Sequence, residues 1–381
     1  MSTTDHEPKS VSRYSSQRRA PLGRSQRRAL RRPVGLTAAT FAVLGLALGM
    51  AGAVGARRPA ADQRHLVRSA PRLPAAAKIL GTLRLPPRQT VLFAARERSL
   101  LVLVIPSSAR RSVELVRVRA DGVIARRGLA IDQPGFLDDL SPGVDGFYAD
   151  TAVIKRLSKR RNELIRIDQR TLRLRARATF PASVRTVGAG NRLWATIGDG
   201  RVARLDPRTL AVKASRRVLS ARAAASGAAT VSKPAYGLGG VWVLAGNARK
   251  LELVRLDPAT LAVRSRARVP SGGRLAQALH DVSADSRHVY LVGGAIARVD
   301  RRGRLGRPLL VPGLETAVVY GGGLVGLTAE PAAIVRLDAA GRVVARTPVR
   351  DAGAALAVSG DDAWFAGNAG HGNGIVHLRL R

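Results

Sequence analysis

Two hydrophobic patterns divide the chain. From Val34 to Ala56 there are 23 successive residues without a charge, including Phe41-Ala42-Val43-Leu44-Gly45-Leu46-Ala47-Leu48. From Lys78 to the end the apolar residues come in short runs that alternate with polar ones. That is the period of strands with one face buried. The runs stop at turns rich in Gly, Pro and Asp, as β-hairpins do.

One phrase recurs in this second region. It reads apolar strand, Arg, Leu or Val, Asp, tight turn, second strand. Its clearest copies are Arg204-Leu205-Asp206-Pro207-Arg208-Thr209-Leu210 and Arg255-Leu256-Asp257-Pro258-Ala259-Thr260-Leu261. Further copies are Arg166-Ile167-Asp168, Arg298-Val299-Asp300 and Arg336-Leu337-Asp338, with weaker ones at Arg117-Val118-Arg119 and His377-Leu378-Arg379. Successive copies are 38 to 51 residues apart, the spacing of propeller blades. Asp-Pro-x-Thr suits a type I turn with Asp first and Pro second, and Gly303 and Gly341 take the fourth position in other copies. A strand carrying an aromatic precedes most copies, as at Trp194, Trp242, Tyr290 and Trp364, and a Gly-rich bend precedes that strand. Four strands per repeat follow. The last copy stops after its third strand, and Ile79-Leu80-Gly81-Thr82-Leu83-Arg84-Leu85 is a strand without a blade. The N-terminal strand is therefore expected to complete the last blade and remove an open sheet edge. The prediction is an all-β fold, a seven-bladed β-propeller over residues 78–381.

The segment ahead of it is read from its length and flanks. A helix of 23 residues rises about 35 Å, enough to cross a bilayer core. Residues 1–33 carry nine cations against Asp5 and Glu7 and are expected to be a disordered basic tail. Arg27, Arg28, Arg31 and Arg32 crowd the N-terminal side of the apolar run, so the positive-inside rule leaves the tail in the cytoplasm and the propeller outside. The expected order is tail 1–33, transmembrane signal anchor 34–56, Pro- and Arg-rich stalk 57–77, and propeller. The alternative is secretion after cleavage of an export signal, since Ala51-Gly52-Ala53 offers small residues.

Composition narrows the function. The chain has no Cys, which excludes a disulfide framework, a thiolate metal site and a Cys nucleophile. Net charge is +38, carried by 57 Arg and only 7 Lys. Arg alternates along two expected outer strands, at Arg173, Arg175 and Arg177 and at Arg264, Arg266 and Arg268. Period two puts each set on one face, a basic perimeter that could meet an anionic envelope polymer. Aromatic content of 4% is too low for a dedicated single-strand reader, so no specific nucleic acid is expected. There is no P-loop, Rossmann fingerprint, HExxH or GxSxG, so no nucleotide is expected. No Trp docking repeat follows the turns at Leu210 and Leu261, which argues against pyrroloquinoline quinone (PQQ).

The repeat is similar to the bacterial propellers related to the YVTN and virginiamycin B lyase-like families. The match is clearest at Val187-Gly188-Ala189-Gly190, Leu193-Trp194 and Gly200-Arg201-Val202-Ala203-Arg204-Leu205-Asp206-Pro207-Arg208-Thr209. The resemblance implies the fold. Lyases of that group use a His and acidic pair with a divalent cation, and no such pair maps residue by residue here. The candidate ligand site is instead placed by the repeat. His280 and Asp281 fall on an innermost strand, and the corresponding stretches of other blades hold Asp138, Asp139, Glu315 and Asp351. Carboxylates and an imidazole around a channel mouth could hold a divalent cation or a cationic ligand. The expected role is a non-catalytic binding or scaffolding module at the cell envelope, meeting an envelope protein or anionic polymer. The alternative is a lyase or hydrolase with its site near His280.

Overall fold

A computed structural model describes residues 73–84, 90–105, 113–119, 122–129, 134–143, 146–154, 160–225, 229–247, 250–270, 279–350, 352–368 and 373–381. The expected tail and membrane segment, and all but the last residues of the stalk, lie outside these residues. Among the described residues no helix is long and apolar enough to cross a membrane.

The first strand, β1 (Ala77–Arg84), stands apart in sequence from its sheet. Blade 1 holds β2 (Thr90–Arg96), β3 (Ser99–Ile105), β4 (Val113–Arg119) and β5 (Gly122–Leu129). Blade 2 holds β6 (Pro134–Pro142), β7 (Gly146–Ile154), β8 (Arg160–Asp168) and β9 (Leu174–Phe180). Blade 3 holds β10 (Val184–Ala189), β11 (Arg192–Ile197), β12 (Arg201–Leu205) and β13 (Val212–Arg217), and is followed by the short helix α1 (Ala221–Ala225). In blade 4 the inner strand is split into β14 (Thr230–Val231) and β15 (Ala235–Gly237), with Pro234 between them. Proline cannot donate to the ladder, which accounts for the break. β16 (Gly240–Gly246), β17 (Leu251–Leu256) and β18 (Val263–Arg268) complete that blade. Blade 5 holds β19 (Leu279–Ala284), β20 (Val289–Gly293), β21 (Ala295–Val299) and β22 (Leu309–Leu310). Blade 6 holds β23 (Leu314–Tyr320), β24 (Gly323–Ala329), β25 (Ala332–Leu337) and β26 (Val343–Pro348). Blade 7 holds β27 (Ala352–Ser359), β28 (Asp362–Asn368) and β29 (Asn373–Leu380), with β1 as its fourth strand.

Every blade is an antiparallel meander, and β1 pairs with β29 from Ala77↔Leu380 to Arg84↔Gly374. The N-terminal strand thus completes the last blade, as the sequence predicts. The inner strands touch in the order β2, β6, β10, β15, β19, β23 and β27, and β27 returns to β2. The ring is closed, and no blade is left without a neighbour on either side.

The recurring phrase ties blade to blade. The Arg204 guanidinium donates to the Ala259 carbonyl at 2.7 Å, in the turn of the next blade. Arg117 reaches the Gln169 carbonyl at 2.9 Å, Arg255 the Arg301 carbonyl at 2.8 Å, and Arg336 the Arg381 carbonyl. Aromatics one strand inward do the same. Trp194 Nε1 donates to the Pro258 carbonyl at 3.0 Å, and the Tyr148 hydroxyl to the Pro207 carbonyl at 3.0 Å. Trp194 and Trp364 are buried, and Trp194 stacks on Tyr236 of the next blade at 4.9 Å. Buried aromatics contribute large apolar area, and their polar atoms find partners where they are satisfied.

The turn itself differs from expectation in the Asp-Pro copies. It closes one residue late: the Leu210 N–H donates to the Asp206 carbonyl, and Leu261 repeats this with Asp257. Leu172, Leu210 and Leu261 have φ of 54°, 64° and 60°, a left-handed region where a Cβ is disfavoured. Each of these leucines is buried in an inter-blade core. Burial of a large apolar side chain offsets the local strain. The Asp300 and Asp338 copies close at the fourth residue, where Gly303 and Gly341 adopt positive φ freely.

Candidate functional site

The meander fixes two faces. Inner strands all begin at one face, here called upper, and end at the lower face, which also carries the Asp turns. The candidate residues His280 and Asp281 sit at the start of β19, on the upper rim of the channel. β19 pairs Leu279↔Gly293 and then Asp281↔Val292, so His280 is an extra residue, a β-bulge. β23 pairs Leu314↔Thr328 and then Thr316↔Leu327, which makes Glu315 the bulged residue of blade 6. β6 does the same at Asp138, between Leu137↔Thr151 and Asp139↔Asp150. A bulge bends the strand and re-aims a side chain, and such bulges recur beside binding sites. His280 and Glu315 are both exposed. Asp138 and Asp139 lie on β6 with their backbone alone described, and Asp351 lies outside the described residues.

The structure brings cations to this rim as well. Arg185 is the second residue of β10, as His280 is of β19 and Glu315 of β23, and it too is exposed. Lys233 sits in the break between β14 and β15. Asp281 is half-buried and accepts the Val282 N–H at 2.8 Å. Burial pushes its carboxyl up, against the Val282 amide and the charges of Lys233, His280 and Arg185. The upper mouth therefore presents both signs of charge. Among the described residues no three His, Asp or Glu side chains stand close enough to hold a metal ion. Sequence reasoning missed Arg185 and Lys233, because neither belongs to the repeated phrase; the signal that points to them is their place at the start of an inner strand, as for His280.

The perimeter arginines lie where the sequence puts them, on the outer strands β9 and β18, but in company. Arg175 pairs with Asp168 at 3.0 Å and Arg177 with Glu163 at 3.4 Å. Arg264 pairs with Asp257 at 2.7 Å and Arg266 with Glu252 at 2.8 Å. Arg173 and Arg268 are exposed, and Arg268 too has an interaction partner. The Asp of the phrase thus has two tasks. Asp168 Oδ1 accepts the Arg170 and Thr171 N–H groups at 3.1 and 2.7 Å while Oδ2 meets Arg175. Partial burial pushes this carboxyl up, but the Thr171 amide and hydroxyl and the Arg175 guanidinium outweigh it and hold it at about 2. Arg264, with the Thr260 and Ala259 amides, likewise depresses Asp257.

The closed ring of seven four-stranded meanders decides the architecture. The chain has the fold of solved β-propellers. BamB from Moraxella catarrhalis matches with a TM-score of 0.51 and 14% identity, over 80% of this chain and 100% of that one. The β-propeller domain of Cps50 (Swd1) from Myceliophteria thermophila matches with a TM-score of 0.54 and 14% identity, over the same shares. At this identity the likeness is one of fold. No protein-family model matches the sequence, and no curated protein does.

Proposed function

We propose that the protein is a non-catalytic binding or scaffolding module at the cell envelope, anchored by residues 34–56 with its propeller outside the cytoplasmic membrane. One observation carries the binding reading. The polar groups of the repeat are spent on turns and blade contacts, whereas bulged and strand-start residues at the upper mouth are turned to solvent. Exposed charges of both signs on a rigid rim suit recognition of a protein surface with complementary charge. His280, Glu315 and Asp281, with Arg185 and Lys233, are the residues assigned to that contact. The basic excess ahead of residues 34–56, with Arg27, Arg28, Arg31 and Arg32, supports that orientation through the positive-inside rule.

The absence of native Cys makes the topology testable. In intact cells a Ser10→Cys variant should be shielded from an impermeant thiol reagent, and a variant at the exposed strand residue Ser215→Cys should react. The opposite pattern overturns the orientation, and release of the labelled propeller into the medium overturns the anchor. Crosslinking in the same cells tests the module. Wild type should capture a discrete protein partner, and Glu315→Ala with Arg185→Ala should lose it. Capture that survives both changes contradicts the assignment to the upper mouth.

A further inference from the structure

The lower face of blade 5 departs from the ring's regularity. In blade 6 the outer strand β26 begins straight after the turn and pairs along β25. In blade 5 the chain passes through Gly306, Arg307 and Pro308 before β22 forms, and β22 pairs only with Ala295 and Ile296. The Gly306 N–H still donates to the Arg298 carbonyl at 2.8 Å, and Val299 bridges to Leu305. Pro308 has no N–H to continue the ladder. Where the outer strand is interrupted, a pocket of about 680 Å³ opens.

Four arginines line it: Arg287, Arg298, Arg301 and Arg304. All four are exposed, and none forms an ion pair among the described residues. Arg298 is this blade's copy of the phrase arginine, yet the contact with the next turn is made by the Tyr290 hydroxyl, 3.4 Å from the Ala339 carbonyl. The one carboxylate of the lining, Asp300, accepts the Arg302 and Arg304 backbone N–H groups, both at 2.8 Å. His288 adds an imidazole, its Nδ1 3.2 Å from Asp285 Oδ1, so that Nε2 is the ring nitrogen left to a ligand. The floor is apolar, made by Leu238, Val299 and Leu305. Arg255 holds two walls in place by donating to the Leu238 and Arg301 carbonyls at 2.9 and 2.8 Å.

We propose that this pocket is a binding site for a phosphate monoester with an apolar or aromatic body. A guanidinium fork matches phosphate oxygens in pairs, and several around one concavity favour an anion of more than one charge. The apolar floor gives the rest of the molecule a place, as in small-ligand sites generally. The site lies on the opposite face of the propeller from His280, so it stands or falls independently of the upper-mouth reading.

Phenyl phosphate is the probe, with inorganic phosphate for comparison, titrated calorimetrically into the full-length protein at fixed low salt. At about pH 8 the second ionisation of the monoester and of inorganic phosphate is nearly complete in both, so the aromatic body is the main difference. The expected result is saturable binding at one site, with inorganic phosphate clearly weaker. Arg298→Gln combined with Arg304→Gln should weaken phenyl phosphate by about tenfold or more, the scale of a lost charge-assisted contact. Arg264→Gln combined with Arg266→Gln, on the perimeter, should leave it unchanged. Unaltered melting temperatures check that each variant folds. Non-saturable binding, equal affinity for the two phosphates, or equal loss in the perimeter variant would each overturn the proposal.

Discussion

On β9 and β18 the outward arginines lie against acids, Arg175 on Asp168 and Arg264 on Asp257. On the lower face of blade 5, Arg287, Arg298, Arg301 and Arg304 line a pocket and have no ion pair among the described residues. Sequence alone makes the first group look like the binding surface, since its period-two spacing is conspicuous. In the structure four of those six arginines, Arg175, Arg177, Arg264 and Arg266, are paired with acids of the neighbouring strand or its turn. Exposed pairs of this kind contribute little stability, about 0–1 kcal/mol each, but they leave less charge free for a partner. A formal charge of +38 is therefore a poor guide to where anions bind. The departures from the repeat are better guides than the repeat.

That contrast can be broken or sharpened by substitution. The largest effect belongs to the blade contacts. Trp194→Ala removes a buried indole, its stack on Tyr236 and its hydrogen bond to Pro258. Chemical denaturation should show a loss of about 3–5 kcal/mol, as for other buried aromatics cut to Ala. Arg204→Gln comes next. It deletes the charged donor to Ala259, and about 1.5–3 kcal/mol should be lost. The same substitution at Arg298, which has no such acceptor, should stay within about 0.5 kcal/mol. If the two arginines cost the same, the distinction between lock and pocket fails.

Two pH effects are smaller. Asp168 titrates at about 2 in the folded chain, against roughly 3.9 when unfolded. The unfolded chain binds its proton first, so the stabilisation is complete above about pH 4 and lost as pH falls toward 2. Asp168→Asn should flatten that part of an acid-melting curve, and an unchanged curve would contradict the pairing with Arg175. Asp281 works the other way. Its carboxyl is pushed up by burial, so the folded chain holds the proton more tightly, and the favourable contribution disappears as pH rises above the ordinary Asp range. Asp281→Asn should raise the melting temperature slightly at neutral pH and leave it unchanged in acid. A fall at neutral pH would mean that Lys233 and Arg185 stabilise the charged form.

Much of the fold was legible because the repeat is local. Strand period, turn residues and the spacing of Arg-Leu-Asp are written in neighbouring positions, and the missing fourth strand of the last copy pointed directly to β1. The left-handed Leu210 was not legible. Its side chain is recruited by the core of the adjacent blade, and propensity alone disfavours a leucine there. The inner-strand bulges at His280 and Glu315 were also hidden, since pairing register depends on the partner strand. His280 and Asp281 could be placed on an inner strand from alignment, but Arg185 and Lys233 could not be seen beside them. The pocket at blade 5 was least visible. Asp300-Arg301-Arg302-Gly303 reads as one more turn, and the late start of β22 that leaves a cavity beside it is a matter of strand pairing.

The most direct test is one thermal-melting experiment on wild type, Arg204→Gln and Arg298→Gln, each with and without phenyl phosphate. Arg204→Gln should melt lower than wild type and keep the full upward shift produced by the ligand. Arg298→Gln should melt with wild type and lose most of that shift. The account is contradicted if Arg298→Gln melts as low as Arg204→Gln, or if the ligand shifts all three proteins equally.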